Sequence, residues 1–274
     1  MKDIMNKVLV KRKKVLPLCL LALLPLSAQA QSDDFGLDFS LEAQKKLSKQ
    51  WSISLEGELR RRDNANINDR WSLGLGVDYK VAKWLKASAG YTFLYGNTAS
   101  RVSYYSADEA EQLTDIDGED VAEGDPKYCY PSYWTPRHRF NVSLTLDKKL
   151  FGNFRFSLRE RWQYTWRPEQ TIKRYAYLND KNVGKTYSAK GKNVLRSRLQ
   201  VEYDKKGLAV TPYANVELFN AWSLQKTRYT VGLDWKLSKQ HAVGAFYRYQ
   251  NVRSDDDDNE PNRHMIGVGY TFKF

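Results

Sequence analysis

The chain has 274 residues, a formal net charge of +12, 14% aromatic residues and a mean hydropathy of −0.66. That mean hydropathy excludes a membrane protein with several helical spans, since each span needs about 20 consecutive apolar residues. Apolar and aromatic residues recur throughout the sequence, which excludes a wholly disordered chain.

The first thirty residues have the pattern of a secretory signal peptide. A basic segment, 7–14, precedes an apolar run, 15–28, and Ala28-Gln29-Ala30 supplies the small residues of a cleavage site. The run is too short for a comfortable span, and Leu18 before Cys19 is too bulky for a lipoprotein site. We predict cleavage near Ala30, leaving one domain of residues 31–274 in which Cys129 is the only cysteine.

Eleven segments of the remaining chain alternate apolar with polar residues, which is the period of a β-strand. In one of them Trp51, Ile53 and Leu55 alternate with Ser52 and Ser54. The segments lie at 35–43, 51–59, 71–79, 85–93, 140–146, 154–158, 195–203, 210–218, 229–235, 243–249 and 266–274.

Three features favour a transmembrane barrel over a soluble β-sandwich, which would also alternate. Most segments are long enough for a tilted strand to cross the hydrocarbon layer. Short connections alternate with long ones around 97–136, 167–192 and 252–262, as in outer-membrane barrels. Tryptophans fall near the ends of segments, where an aromatic girdle forms: Trp51, Trp71, Trp84, Trp162, Trp166 and Trp235. We predict an all-β, transmembrane, antiparallel up-and-down β-barrel of 10–12 strands.

The number of strands stays open, because eleven segments conflict with the even number found in bacterial single-chain barrels. Either 35–43 is an extra segment beside a ten-stranded barrel, or one crossing of a twelve-stranded barrel has been missed. Two residues also conflict with the pattern. Glu160 falls on the apolar parity, which is costly for a carboxylate away from the interface, and Pro212 interrupts a strand; a β-bulge near either residue would resolve the conflict.

The C-terminal segment ends in Phe274, with Tyr270 and Phe272 at the preceding alternate positions. This ending resembles the terminal strand signal recognised by the barrel assembly machinery. The hairpin FGLDFSLEAQKKLSKQWSISLEGELRRRDN and the following RWSLGLGVDYK resemble an uncharacterised family of bacterial outer-membrane β-barrels, of the domain of unknown function 2490 type. The resemblance covers nearly the whole exported chain. It implies a barrel in the outer membrane of a Gram-negative bacterium and supplies no catalytic residues.

If the apolar parity faces lipid, the charged parity faces the lumen. The lumen-lining candidates are Arg60, Arg139, Arg155, Arg159, Arg161, Arg196, Arg198, Arg228, Arg248, Glu56, Glu58, Asp78, Glu202, Glu217 and Asp234. Such charges must be paired or hydrated. One hypothesis is a small channel for polar or anionic solutes through an arginine-rich bore. The alternative is a non-conducting structural or surface-interaction barrel, plugged by arginine–carboxylate pairs.

The connection 97–136 is acidic and then aromatic. It is either a binding loop over the mouth, holding divalent ions beside lipopolysaccharide, or a solvated loop, and we favour the second. The run Asp255–Asp258 lacks the spacing of a calcium loop and is interpreted as hydrated.

Enzymatic interpretations have little support in the sequence. The histidines are His138, His241 and His264, and only His264, beside the aspartate run, is a candidate for a rim hydrolase. We therefore predict no catalytic residues, no metal site and no cofactor. The expected partners are outer-membrane lipids, lipopolysaccharide and the barrel assembly machinery, with no nucleic acid, for a monomer or small homo-oligomer.

Overall fold

A computed structural model describes residues 33–117, 121–253 and 261–274. The predicted signal peptide, 1–30, and the run Asp255–Asp258 lie outside the described residues. The elements in chain order are β1 (Asp34–Lys46), β2 (Trp51–Arg62), β3 (Ile67–Ala82), β4 (Leu85–Thr98), β5 (Arg101–Tyr104), α1 (Ala107–Asp117), β6 (Pro126–Tyr130), β7 (Tyr133–Leu150), β8 (Phe154–Arg167), β9 (Gln170–Ala176), β10 (Lys181–Tyr187), β11 (Lys190–Tyr203), β12 (Val210–Ala221), β13 (Ser223–Lys236), β14 (His241–Val252) and β15 (Arg263–Lys273).

Eleven of these strands form a closed barrel in the order β1-β2-β3-β4-β7-β8-β11-β12-β13-β14-β15, with β15 returning to β1. Each of the eleven alternating segments of the sequence coincides with one barrel strand, the last extending one residue beyond β15, so the predicted all-β barrel is confirmed. Neighbouring strands pair antiparallel everywhere except at the closure. There β1 and β15 run parallel, from the pair Asp34 and Arg263 to the pair Gln44 and Lys273.

The eleven strands read from the sequence are confirmed, and the two alternatives that would restore an even number are wrong. Directions alternate along an up-and-down barrel, so eleven strands require one parallel pair where the first meets the last. The segment 35–43 is therefore neither an appendage of a ten-stranded barrel nor a sign of a missing twelfth strand. It is the core of β1, which pairs with β2 on one edge and β15 on the other.

The two ends of the barrel differ in their connections. Short turns at 47–50, 83–84, 151–153, 204–209 and 237–240 join strands at one end, called here the turn end. The two long connections between β4 and β7 and between β8 and β11 lie at the other, called here the loop end. β1 starts at the loop end, and β15 finishes at the turn end, as the parallel pairing of these strands requires.

The long connections, interpreted from sequence as loops, form a second sheet of four strands in the order β10-β9-β6-β5. β6 pairs with β9 through Tyr128 opposite Ala176 and Cys129 opposite Tyr175, which ties the two connections together. α1 lies between β5 and β6 in the chain. Among the residues described, no helix is long and apolar enough to cross a membrane.

The barrel places apolar side chains outside and polar side chains inside, the reverse of a soluble protein. Leu75 of β3 is 60% exposed, and Leu41, Leu144 and Leu199 are also exposed. Asp38 is only 4% exposed, and other buried polar residues on the inward parity are Ser143, Gln163, Glu217, Thr230 and Gln250. This distribution suits a barrel whose outside faces hydrocarbon and whose interior is polar.

The barrel ladders have no β-bulge at Glu160 or at Pro212, so neither conflict is resolved in that way. Glu160 keeps regular pairing with both β7 and β11, and its exposed carboxylate accepts a 2.6 Å hydrogen bond from Ser197 Oγ. Pro212 pairs regularly with Leu233 of β13, whereas pairing of β12 with β11 reaches only Tyr213. Pro212 thus lies beyond the β11 ladder, where a missing backbone donor removes no rung.

Candidate functional site

A cavity of about 290 Å³ occupies the loop-end half of the barrel and is lined by eight strands. Among the residues that the structure describes, its wall carries eleven basic side chains and two carboxylates. We call this cavity the cationic vestibule. The charged residues that line it are Glu56, Glu58, Arg60, Arg70, Arg137, Arg139, Arg161, Arg167, Lys190, Lys192, Arg196, Lys226 and Arg228.

Strand alternation explains why so many cations share this wall. Arg159, Arg161 and Arg167 differ by even numbers of residues along β8, so all three point to the lumen. The same holds for Lys192 and Arg196 on β11. Because these strands are neighbours, their inward faces form one continuous basic surface.

Three carboxylates, two buried and one partly buried, hold pairs of arginines at the edges of the vestibule. Glu217, 6% exposed, accepts from Arg159 Nη2 at 2.6 Å and from Arg196 Nη2 at 2.9 Å. Arg196 lines the vestibule, whereas Glu217 lines a separate cavity nearer the turn end. This cluster therefore lies at the boundary between the two cavities.

The other two carboxylates lie on β1 and β2. Glu58 accepts from Arg60 Nη2 and from Arg70 Nη2, both at 2.8 Å. Asp38 lies 3.1 Å from Arg60 Nε and 3.4 Å from Arg248 Nη1. Each carboxylate balances only part of the charge of the two guanidinium groups that contact it, so positive charge remains in the wall.

Several arginines of the lumen contact neutral acceptors. Arg139 Nε donates to Thr165 Oγ1 at 3.3 Å, and Arg228 Nε donates to Gln250 Oε1 at 2.8 Å. The buried Nε atoms of Arg161 and Arg198 have no hydrogen-bond acceptor among the residues that the structure describes. Arg139, Arg161 and Arg228 thus add positive charge to the vestibule wall, whereas Arg198 lines the separate cavity nearer the turn end.

Phe219 is an aromatic residue on the lumenal parity of β12, and the sequence interpretation missed it. The guanidinium carbons of Arg196 and Arg228 lie 4.5 and 4.6 Å from the centre of its ring, and Lys226 Nζ lies 5.4 Å away. Cations over an aromatic face are stabilised by the ring quadrupole. Phe219 thus helps three positive charges share one side of the vestibule.

The second cavity, of about 260 Å³, lies nearer the turn end and has a more mixed lining. Its lining residues are Arg198, Gln200, Tyr213, Asn215, Glu217, Thr230, Asp234, Phe246 and Arg248. At the turn end itself, Arg155 lies 2.8 Å from Asp147 and 3.9 Å from Glu202, and Lys86 lies 3.0 Å from Asp78.

The fifteen lumen candidates from the sequence thus divide among three levels. Arg60, Arg139, Arg161, Arg196, Arg228, Glu56 and Glu58 line the vestibule. Arg198, Arg248, Glu217 and Asp234 line the second cavity, with Arg159 bonded to Glu217. Arg155, Glu202 and Asp78 form the turn-end ion pairs.

Sequence reasoning missed several charged residues of the interior. Arg263 bonds to Asp34 at 2.6 Å and to Asp69 at 3.3 Å at the loop end, and Arg70 and Asp38 belong to the clusters above. Arg70 lies two residues before the inward-facing Ser72, and Asp38 lies between the outward-facing Leu37 and Phe39. The alternation of inward and outward residues along each strand could therefore have identified Arg70 and Asp38 as lumenal.

The three histidines lie on the exterior parity, each bonded to a tyrosine of the adjacent strand. His138 Nδ1 lies 2.8 Å from Tyr91 Oη, and His241 Nδ1 lies 2.5 Å from Tyr270 Oη. His264 Nδ1 lies 2.6 Å from Tyr247 Oη. The structure places His264, the rim hydrolase candidate, among aromatic rings, with Nε2 3.4 Å from Asp33.

The tryptophans assigned to a girdle occupy different depths. Trp51 packs on Tyr79 near the turn end, and Trp71 packs on Tyr95 towards the loop end. Trp166 contacts His138 near the end of β8, and Trp84 and Trp235 are exposed beside short turns. Trp162, in contrast, lies within β8, two residues from Glu160. At the C-terminus, Phe272 stacks on Phe274, and Tyr270 contacts His241.

Basic and aromatic side chains stack at the second sheet. The Arg174 guanidinium lies 3.4 Å from the centre of the Tyr128 ring and donates to Tyr130 Oη at 2.6 Å. Lys127 Nζ donates to Glu109 of α1, and this hydrogen bond lowers the pKa of the Glu109 carboxyl. Part of the predicted acidic loop is thus folded as a helix that is tied to the sheet.

Comparison with known proteins places the sequence in a recognised group. The profile of a family described as "Protein of unknown function (DUF2490)" matches residues 35–261. No curated protein matches the sequence.

Three solved structures resemble the fold. The β domain of the Bordetella autotransporter BrkA has 15% identity and a TM-score of 0.46, covering 80% of this chain and 79% of that one. The translocator domain of autotransporter NalP from Neisseria meningitidis has 10% identity and a TM-score of 0.48, covering 76% and 71%. The NanC porin has 15% identity and a TM-score of 0.43, covering 88% and 99%. The barrel architecture itself is established by the strand pairing of this chain.

Proposed function

This chain belongs to the DUF2490 family of proteins of unknown function, and from that premise and its charged lumen we propose that it is an outer-membrane channel for small anionic solutes. One observation carries the proposal, namely the excess of eight arginines over two carboxylates among the described residues of the vestibule wall. Rings of basic side chains in a pore attract anions and repel cations.

The position of the vestibule supports a role in solute entry. It lies in the half of the barrel towards the loop end, so an anion approaching from that end meets Arg137 and Arg167 first. The surrounding wall has a low dielectric constant, which strengthens the field of these charges and raises the local anion concentration. Arg139, Arg161 and Arg228 continue the positive surface inward.

The exterior of the barrel supports the proposed location. Exposed leucine, valine and isoleucine side chains cover the middle of the strands, and aromatic residues flank them, as hydrocarbon and headgroup layers require. We propose that outer-membrane lipids and lipopolysaccharide contact this exterior surface. The barrel assembly machinery would recognise the terminal Tyr270, Phe272 and Phe274.

Planar-bilayer recording tests the channel. In a salt gradient, wild-type protein should give current steps whose reversal potential indicates a preference for anions. Arg139→Glu and Arg161→Glu each change a vestibule charge by two units and should shift that potential towards cation preference. Lys185→Glu makes the same change on the exposed β10 of the second sheet and should leave the potential unchanged. Folded protein without steps above background would overturn the proposal.

The second candidate function is a barrel closed by its own ion pairs. The observation in its favour is the set of bridging carboxylates, above all Glu217 between Arg159 and Arg196. Glu217→Gln distinguishes the two candidates. A closed barrel would give current steps only in this variant, whereas an anion channel gives steps in both proteins, with stronger anion preference in the variant.

A further inference from the structure

The exterior of the barrel carries a polar group halfway along its apolar surface. Glu160 lies four residues from Phe156 and four from Tyr164, which is about 13 Å along the strand in each direction. On the other described strands, the charged residues of the exterior parity lie at or near the strand ends, as Lys45, Arg61 and Lys148 do. Among the described strands, Glu160 is therefore the charged residue of the exterior parity that lies near the middle of its strand.

Hydrocarbon is a poor environment for this carboxylate. Acyl chains offer no hydrogen-bond donor, and a charged side chain on the lipid face of a barrel is destabilising, most of all near the bilayer midplane. Ser197 Oγ supplies one donor at 2.6 Å. A carboxylate has about four acceptor sites, so one hydroxyl leaves most of its capacity unused.

An unused donor lies on the same face. Trp162 is 48% exposed, and within the described ranges its indole N–H contacts no acceptor. Trp162 and Glu160 are two residues apart on β8, so their side chains point outward side by side. Leu144, Leu158 and Leu199 surround them with exposed apolar side chains.

We propose that this face of β7, β8 and β11 is the contact surface for a second copy of this chain. A two-fold contact requires a patch that is complementary to itself, and a carboxylate beside an unused donor meets that condition. Across the two-fold axis, Glu160 of each copy accepts from Trp162 of the other while keeping its bond to its own Ser197. The leucines of the two copies pack around these bonds and exclude lipid from the carboxylates.

A second copy fits this patch better than a lipid or a cationic partner. Lipid tails cannot donate, and a basic partner would leave the Trp162 N–H without an acceptor. Tryptophan is also enriched at the centres of protein interfaces, where a ring and a donor are buried together.

Thiol cross-linking in outer-membrane fragments tests the surface. In a Cys129→Ser background, Leu158→Cys places a thiol beside the patch, and Leu41→Cys places one on β1, on the far side of the barrel. A short bifunctional thiol reagent should join Leu158→Cys protein into a species of twice the chain mass and leave Leu41→Cys protein single. Equal cross-linking of the two, or a product of any other mass, would overturn the proposal.

Sedimentation equilibrium in a mild detergent tests the proposed bonds. Trp162→Phe removes the N–H but keeps an aromatic ring, and it should raise the dimer dissociation constant about tenfold, equivalent to about 1.4 kcal/mol. Glu160→Leu should weaken the dimer at least as much, although it suits the monomer in lipid. Trp51→Phe, on the remote β2, is the matched control and should have no effect. A wild-type monomer at every concentration, or equal effects of the two tryptophan variants, would contradict the inference.

Discussion

Asp38 Oδ2 and Arg248 Nη1 lie 3.4 Å apart although 210 residues separate them in the sequence. Asp38 is on β1 and Arg248 is on β14, so the contact passes over β15 on the lumenal side of the parallel closure. Gly267 of β15 is opposite Asp38 in the ladder and carries no side chain that would block the contact. The closure thus combines backbone pairing with an ion pair between non-adjacent strands.

Asp38→Asn should destabilise the barrel strongly. Asp38 is buried and contacts Arg60 and Arg248, so its neutralisation leaves Arg248 without its carboxylate partner and Arg60 with Glu58 alone. Breaking a buried pair in this way costs about 3–5 kcal/mol. Urea unfolding in lipid vesicles, followed by tryptophan fluorescence, would measure the loss.

The matched control is Asp147→Asn, which breaks the more exposed pair with Arg155. An exposed pair contributes about 0–1 kcal/mol, so the control should unfold close to wild type. Equal losses in the two variants would mean that Asp38 does not stabilise the closure.

Gly267→Ala should also destabilise the barrel. The Phe246 ring lies across Gly267, and a Cβ there would come 2.1 Å from Phe246 Cζ, which is inside contact distance. Moving the ring would also disturb Arg248, whose guanidinium carbon lies 4.4 Å from the ring centre. Overpacking of this kind costs about 1–3 kcal/mol in free energy of unfolding.

The same substitution at Gly57 provides a comparison, because a Cβ at Gly57 would have no atom within 4 Å. Gly57→Ala should keep or raise stability. Adding Phe246→Leu to Gly267→Ala should restore part of the lost stability. A steric cause would be excluded if Gly57→Ala also destabilised the barrel and the double variant recovered no stability.

Spin labels should distinguish the two faces of the strands. Labels at Leu75 and Val231, on the exposed apolar face, should collide with oxygen and be shielded from a water-soluble nickel reagent. Replacing the lumenal Ser143 should give a label with less access to oxygen. Electron paramagnetic resonance power saturation measures both accessibilities, and an aqueous environment at Leu75 would refute the assignment of the faces.

The attachment of α1 to the second sheet should depend on pH. The hydrogen bond from Lys127 lowers the pKa of the Glu109 carboxyl in the folded protein. A lowered carboxyl pKa adds stability above the ordinary value of about 4.3, and this stability is lost as the pH falls through the lowered value. Carbon-13 NMR of the Glu109 carboxyl should therefore show a midpoint below the ordinary one. Lys127→Met should return it towards that value, and an unchanged midpoint would contradict the assignment.

The outward and inward faces of the barrel could be predicted because alternation is a local property. Trp51, Ile53 and Leu55 assign the faces of β2 without reference to any other strand. Alternation does not show which strands pair where the barrel closes. The pattern from Phe35 onward is the same whether β1 lies outside the barrel or pairs with β15. An even-number rule drawn from other barrels therefore led to two wrong alternatives.

The second sheet could not be predicted for a related reason. β5 has four residues and β6 has five, too few for alternation to exceed chance. Their position depends on the pairing of Tyr128 with Ala176, from the other long connection. In the lumen, sequence indicated that Arg159, Arg196 and Glu217 face inward. The strand register places Glu217 opposite Arg198, and only the side-chain conformations show that it bridges Arg159 and Arg196 instead.

The parallel pairing of β1 with β15 also determines where the chain could carry reporters. Asp34 is at the loop end and Lys273 is at the turn end, so a peptide tag joined near each would emerge on opposite sides of the bilayer. Antibody labelling of intact cells carrying each tag in turn would then reveal which end of the cylinder faces the medium.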